Sequence, residues 1–285
     1  MAGMSLSQAV SLLRTQINLP ELPRQASVTA FHLPASHQRL HDDVIQATQQ
    51  FDEPAVERAF TEAFSLFPVE DVCLNVLQPV LVTVGAKWHA GELTISHEHF
   101  LSNLVRRKLL ALLTAAPPAH HEQKIVTACA PEEFHEIGLL MMSVFLRREG
   151  YTVIYLGQNT SPLRLAEVLQ QMQPDMVLVS ASQLRAASGL LSMLEALQTV
   201  ARHGRRIIFA YGGHIFNKIP ALCNRIPGIW IGDTAEAGVQ RIAQLISRPE
   251  ANPPARVAPV RPVARAVLDE LRLRRPDIVS AAAKL

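Results

Sequence analysis

Two kinds of hydrophobic rhythm divide the sequence. From His37 to about Ala116, apolar residues recur at helical spacing in the stretches 40–50, 54–66, 70–87 and 95–115. Caps and breakers separate these stretches: Asp52-Glu53-Pro54, then Pro68 ahead of Glu70 and Asp71, then Gly91. Four helices with short connections predict an antiparallel bundle. From Lys124 the rhythm changes. Ile125–Ala130, Thr152–Leu156, Met176–Ser180, Arg206–Ala210 and Ile229–Ile231 are short apolar runs. Helical stretches at 137–149, 161–172, 185–203 and 234–247 alternate with them. Continuously apolar strands separated by helices predict a parallel sheet buried on both faces. Such a sheet takes ligands at the carboxyl ends of its strands, so the site is expected there.

The flanks read differently. Residues 1–34 begin with a helical stretch, Ser5–Gln16, then pass Pro20, Pro23 and Pro34, which predicts an arm. The bundle takes 35–118, a linker runs from Pro117 to Gln123, and the α/β domain takes 122–248. Residues 249–285 form a Pro-rich tail with a helical stretch near 263–275. With 285 residues, 48% of them apolar, the chain can build cores for two modest domains. Lys and Arg number 27 against 25 Asp and Glu, a balance that argues against a dedicated nucleic-acid binder. Cys73, Cys129 and Cys223 have no CxxC spacing, which points to a reducing compartment without structural zinc. The start of the sequence has no secretory pattern, and no run of about 18 consecutive apolar residues occurs, so a cytoplasmic protein is expected. Without a Walker loop, a GxGxxG or a catalytic nucleophile, the chain reads as a binding protein rather than an enzyme.

Chemistry concentrates just after the first strand, in Pro131-Glu-Glu-Phe-His135-Glu-Ile-Gly138. A histidine on the loop leaving a strand is placed to meet a ligand. Glu133, two residues earlier, can accept a hydrogen bond from the non-ligating imidazole nitrogen and so fix its tautomer. Gly138, at a helix start, lets another group approach the backbone. Ser180 and Ser182 end the third strand, and Gly212-Gly213 follow the fourth. The alternation of faces does not choose between the two serines.

Glu133-x-His135-x-x-Gly138, Ser182-Gln-Leu184 and Gly212-Gly213, in that order, resemble the cobalamin-binding domain shared by methionine synthase, corrinoid carriers and B12-dependent mutases. The resemblance implies a Rossmann-like (flavodoxin-like) α/β fold preceded by a four-helix bundle. It further implies that His135 is the lower axial cobalt ligand, displacing the cofactor's own benzimidazole. The freed nucleotide tail would pass Gly138, Ser180, Ser182 and the double glycine. Glu133 stands where many members of the family have Asp.

A second constellation lies in the helical part: Lys87-Trp88-His89, and nine residues after Trp88 the pair Glu98-His99. An aromatic ring beside polar groups can stack on a flat ligand while Glu and His bond its hydroxyls and ring nitrogens. A free-ion site is not expected. No histidines of this motif are four apart, and His37 and His41, which are, have no evident third ligand. With the downstream domain, Trp88-x9-Glu98-His99 resembles the light-sensing B12 regulators of the CarH group. That resemblance implies adenosylcobalamin as cofactor, with Trp88 covering the adenosyl group and Glu98 and His99 bonding it. His89 would be the upper ligand available after photolysis. Regulators of that group begin with a MerR-type helix-turn-helix domain, whereas about 34 residues precede this bundle. A stand-alone sensor with no direct DNA contact is therefore expected, signalling through a homo-oligomer or a protein partner. The alternatives are a corrinoid methyl carrier of a methyltransferase system, or a sensor of another or an additional tetrapyrrole, haem or bilin. In the last case His97, His120, His121 and His214 are candidates.

Overall fold

The computed structural model describes residues 33–201 and 207–247, which belong to one compact unit. The helices expected at Ser5–Gln16 and near 263–275 lie outside the described residues.

Helices α1 (Ala35–Gln49), α2 (Glu53–Leu66), α3 (Val69–His89) and α4 (Ile95–Ala115) form the bundle. Local chemistry sets their starts. The Asp52 carboxylate accepts the Ala55 N–H at 2.9 Å, with Pro54 in the first turn of α2. Before α4, Thr94 and His97 form a reciprocal capping box, and the His97 ring also stacks on Phe51. Leu40, Val44, Phe60, Val76, Leu77, Val80, Leu101 and Leu109 make the core. Among the described residues, α3 is the helix long and apolar enough by composition to cross a membrane. Its apolarity has a local use, because Val72, Cys73, Val76, Leu77 and Val80 are buried in that core.

Helix α3 carries an irregularity that periodicity did not show: residues Cys73–Leu77 form a π-turn, with the Gln78 N–H bonding back to Cys73. The cause follows two residues later. Pro79 has no N–H to return to the carbonyl of Asn75, and its ring would press on that carbonyl, so the preceding turn widens.

The second half alternates β1 (Lys124–Cys129), α5 (Ile137–Arg148), β2 (Thr152–Tyr155), α6 (Pro162–Met172), β3 (Met176–Ser180) and α7 (Leu184–Ala201). β4 (Ile208–Gly212), α8 (His214–Lys218), a 3-10 turn at Pro220–Asn224, β5 (Ile229–Trp230) and α9 (Ala235–Ser247) complete it. The five strands are parallel in the order β2-β1-β3-β4-β5. This is the doubly wound arrangement expected, with its switch point between β1 and β3. The residues of β1 alternate. Ile125 and Cys129 pack with α5 and α9, and Thr127 between them shares a hydrogen bond of 2.9 Å with Ser143 of α5.

One expectation is corrected. The fourth strand lies two residues later than the apolar run Arg206–Ala210 suggests. It pairs with β3 from Ile208 to Gly212, and the glycine that reads as a breaker completes the ladder opposite Ser180. The stretch after Gly213 also folds into a short helix and a 3-10 turn. Bundle and sheet are not packed separately: Leu140, Met141, Val144 and Phe145 of α5 belong to the same buried cluster as the bundle residues. Helix α5 therefore offers one side to the sheet and another to the bundle.

Candidate functional site

The loops that leave β1 and β3 part at the switch point, and His135 stands on the first of them. Its position is fixed by Glu133, which is 1% exposed. Glu133 Oε1 accepts the backbone N–H of His135 at 2.8 Å and lies 2.6 Å from His135 Nδ1. Oε2 accepts the backbone N–H of Ser182 at 2.5 Å, which ties the β1 loop to the β3 loop. A carboxylate can only accept, so Nδ1 bears a proton, and in the neutral imidazole the lone pair is on Nε2. The imidazole is 62% exposed, and Nε2 has no partner among the described residues. Burial pushes the Glu133 carboxyl up, but the donors from His135 and Ser182 outweigh it and hold the group below its ordinary range. The same hydrogen bond raises the proton affinity of His135, against a smaller opposing effect of burial. The loop thus presents a basic, oriented imidazole nitrogen to solvent at the end of a sheet.

Beside it opens a cleft of about 530 Å³. His135, Gly138, Ser180, Ser182, Gly212 and Gly213 all line it, so six residues picked from three strand ends converge. Both serines line it, Ser180 as the last residue of β3 and Ser182 in the loop beyond. Leu184, at the start of α7, is 42% exposed and lies outside the lining.

The glycines have different reasons. Gly213 has φ +122, and a Cβ there would lie 2.1 Å from the Ala181 carbonyl oxygen; packing alone demands glycine. Gly138 is the opposite case. A Cβ there meets nothing within 4 Å, although it sits in the first turn of a helix, where glycine costs stability relative to alanine. The protein's own packing does not require this glycine, which is what a cleft kept open for a ligand predicts.

The comparisons with known proteins decide which ligand. Residues 123–240 match the family model described as a B12 binding domain, and residues 40–113 match a second model of the same description. These two stretches are B12-binding domains. It is 34% identical over 185 residues to the HTH-type transcriptional repressor CarH of Myxococcus xanthus, covering 65% of this chain and 61% of that protein. It is 28% identical over 193 residues to the repressor CarA of the same organism, covering 68% and 61%. The chain thus spans about three fifths of these curated relatives. In fold it resembles the Methanosarcina barkeri monomethylamine corrinoid protein, with a TM-score of 0.58 and 16% identity over 73% of this chain and 99% of that one.

The residues of this B12-binding protein fit a corrinoid. His135 is a nitrogen donor whose second nitrogen is anchored, an arrangement that orients a metal ligand and increases its basicity. The cleft beside it can take an elongated appendage. Phe134, next to His135, is 60% exposed and leaves apolar surface on which a flat ring can lie.

The second constellation lies on the bundle, outside the cleft lining. Trp88 is 37% exposed and stacks on His89 with ring centroids 4.5 Å apart. His99 Nδ1 lies 2.6 Å from Glu98 Oε2, and Glu98 Oε1 accepts the Ser102 hydroxyl at 2.6 Å. Trp88 and His89 end α3, Glu98 and His99 lie in the first turns of α4, and one short turn joins the two helices. Of the other histidines among the described residues, His214 lines the cleft and the rest have other attachments. His37 bonds Asp71, His41 bonds Thr83, His97 caps α4, and His120 and His121 pack over Gly150 and Tyr151.

Two features escaped the sequence reading. One wall of the cleft comes from the bundle, where α3 contributes Leu74, Asn75, Gln78, Leu81 and Val82. In addition Glu136, 3% exposed, takes the Arg106 guanidinium of α4 on one oxygen and the Tyr155 hydroxyl on the other. Burial and the bond to Glu136 push the Tyr155 hydroxyl far above its ordinary range. Glu136 directly follows His135, so the ligand loop is tied to the bundle. The spacing of helices gave a bundle, but nothing in it said which face would cover the sheet.

Proposed function

We propose that this chain is a B12-dependent light sensor that binds adenosylcobalamin and signals, in the cytoplasm, through conformational or oligomeric change to protein partners. The observation that carries the binding half is the Glu133-fixed imidazole of His135 at the mouth of the cleft. What supports the sensor half is the Trp88, His89, Glu98 and His99 cluster, together with the identity to CarH and CarA.

When bound, adenosylcobalamin supplies a weak cobalt–carbon bond that visible light cleaves. The protein's own residues do the rest. His135 would hold the metal, and Glu133, by holding the proton on Nδ1, turns Nε2 toward it. Gly138, Ser180, Ser182 and Gly212 give the nucleotide tail its passage. Trp88 provides an aromatic face for the upper ligand, and Glu98 and His99 provide an acceptor and a switchable donor. His89, next to Trp88, is a second imidazole for the upper side. A ligand that contacts both bundle and sheet biases how the two sit, which is the requirement for a population shift.

The test is reconstitution with adenosylcobalamin in darkness, followed by absorption spectra and sizing before and after green light. The expected result is retention of colour on desalting, then a spectral change and a change in size or shape on illumination. A spectrum and size that ignore light remove the sensor reading and leave a corrinoid carrier, whose fold this chain shares. Colourless protein removes the binding reading as well.

A further inference from the structure

We propose that Asn75, on the bundle wall of the cleft, is a corrinoid-binding residue whose side-chain carbonyl oxygen accepts a hydrogen bond from a primary carboxamide N–H at the edge of the corrin ring. The proposal rests on the corrinoid reading of the cleft and extends it to the covering helix.

The first observation is place. Asn75 lies in the π-turn of α3, and with Gln78 it is one of the two polar side chains that α3 adds to an otherwise apolar wall of Leu74, Leu81 and Val82. Widened turns of this kind recur at functional sites because they re-aim side chains that a regular helix would direct elsewhere.

The second observation is orientation. Asn75 Nδ2 donates to Asp71 Oδ1 at 2.7 Å, and the other oxygen of Asp71 lies 2.7 Å from His37 Nε2. His37 is itself buried and packs its ring on Phe67. Asp71 is a carboxylate held below its ordinary range: burial raises it, but the bonds from His37 and Asn75 outweigh that. It must therefore accept, so the amide nitrogen of Asn75 has to face it. That fixes the plane of the amide and leaves its carbonyl oxygen, which has no partner among the described residues, as the acceptor. A chain of hydrogen bonds that starts at the buried His37 of α1 thus leaves one oxygen of a cleft-lining amide free to accept.

The third observation is chemical complementarity. A corrin ring is fringed with primary carboxamides, which are N–H donors, and a neutral acceptor matches them without burying a charge. A pre-oriented acceptor also loses little side-chain freedom on binding.

Equilibrium dialysis of hydroxocobalamin and of cobinamide, which lacks the nucleotide, tests this with wild-type protein, Asn75→Leu, Asp71→Ala and the double variant. Removing one such hydrogen bond should raise Kd about three- to tenfold. The rise should be the same for both corrinoids. Asp71→Ala, at a residue that is not itself in the cleft lining, should raise Kd about two- to threefold by releasing the Asn75 amide, and should add nothing to Asn75→Leu. If Asn75→Leu does not purify folded, Asn75→Ala carries the same comparison. A Kd within twofold of wild type overturns the proposal, as does a loss confined to hydroxocobalamin, which would point to a nucleotide hydroxyl. Wild-type protein that retains neither corrinoid overturns the corrinoid reading itself, a result separate from normal wild-type binding with an indifferent Asn75.

Discussion

Replacing Gly138 by alanine separates a glycine kept for a ligand from one kept for the fold. In the protein without ligand, the new methyl group meets nothing within 4 Å. Its effect is then that of helix propensity, a gain of up to about 1 kcal/mol in the first turn of α5, or a rise in Tm of up to about 2–4 °C for a protein of this size. In the loaded protein the same methyl lies in the cleft beside His135. Forcing a methyl group into filled space costs about 1–3 kcal/mol, which corresponds to a Kd for hydroxocobalamin raised about 5- to 150-fold. Gly213→Ala should do the reverse to the fold. Its Cβ would stand 2.1 Å from the Ala181 carbonyl oxygen, at a φ of +122. A loss of at least about 2 kcal/mol is expected, and with it about 4–8 °C in Tm. Thermal unfolding of the ligand-free variants and dialysis of the loaded ones measure both effects. If Gly138→Ala binds the corrinoid within twofold of wild type, no ligand passes over that backbone, and the reading of the cleft fails.

The other expectations concern what surrounds the site. Glu133→Gln replaces an acceptor that serves three donors with a group that must turn N–H toward one of them; corrinoid retention after desalting should weaken about 10- to 100-fold. Cys73 and Cys129 are buried, and burial above all pushes both thiols up to about 12, so thiol-reactive dye at pH 8 should label Cys223 alone among the three in the native protein and all three in urea. Arg106→Met removes the bundle's hold on Glu136, and urea unfolding should show a loss of about 1–2 kcal/mol, moderated because Arg106 is 45% exposed. Tyr155→Phe, which leaves the same buried carboxylate without its hydroxyl donor, should cost about 1–3 kcal/mol.

What could be read ahead, and what could not, follows from the range of each interaction. The strand runs and helical stretches were legible because burial on both faces of a parallel sheet writes itself as unbroken apolar runs, and one-sided burial as a 3.6-residue period. The lower site was legible because its residues sit at strand ends, where topology alone brings distant segments together. β4 was misplaced because Gly212 looks like a terminator until its ladder with β3 is seen. The wall formed by Asn75 and Gln78 was hidden for another reason. Their facing depends on the π-turn, and the π-turn depends on how the chain resolves Pro79 inside a helix. Neither the break in period nor the choice of partner for Glu136 leaves a local mark.

The two motifs meet in one helix. Glu98, Ser102 and Arg106 of α4 are spaced by four, so they share a face. At its first turn this face carries the Glu98 carboxylate bonded to Ser102, and two turns later it carries the guanidinium bound to Glu136, the residue after His135. Glu133 dominates the environment of His135, yet the charge of Glu98 is also close enough to be felt there. A helix is stiff on this scale. A displacement of its first turn large enough to move Glu98 must either carry Glu136 along or break the bond to Arg106. In the first case the loop that carries His135 moves with Glu98; in the second the bundle is released from the sheet. Arg106→Met therefore distinguishes the two. If α4 transmits, light should still bleach the loaded variant but change its size less than wild type. If the bond acts only as a restraint, the variant should already have the illuminated size in darkness. A variant that matches wild type in both darkness and light would show that neither path runs through α4.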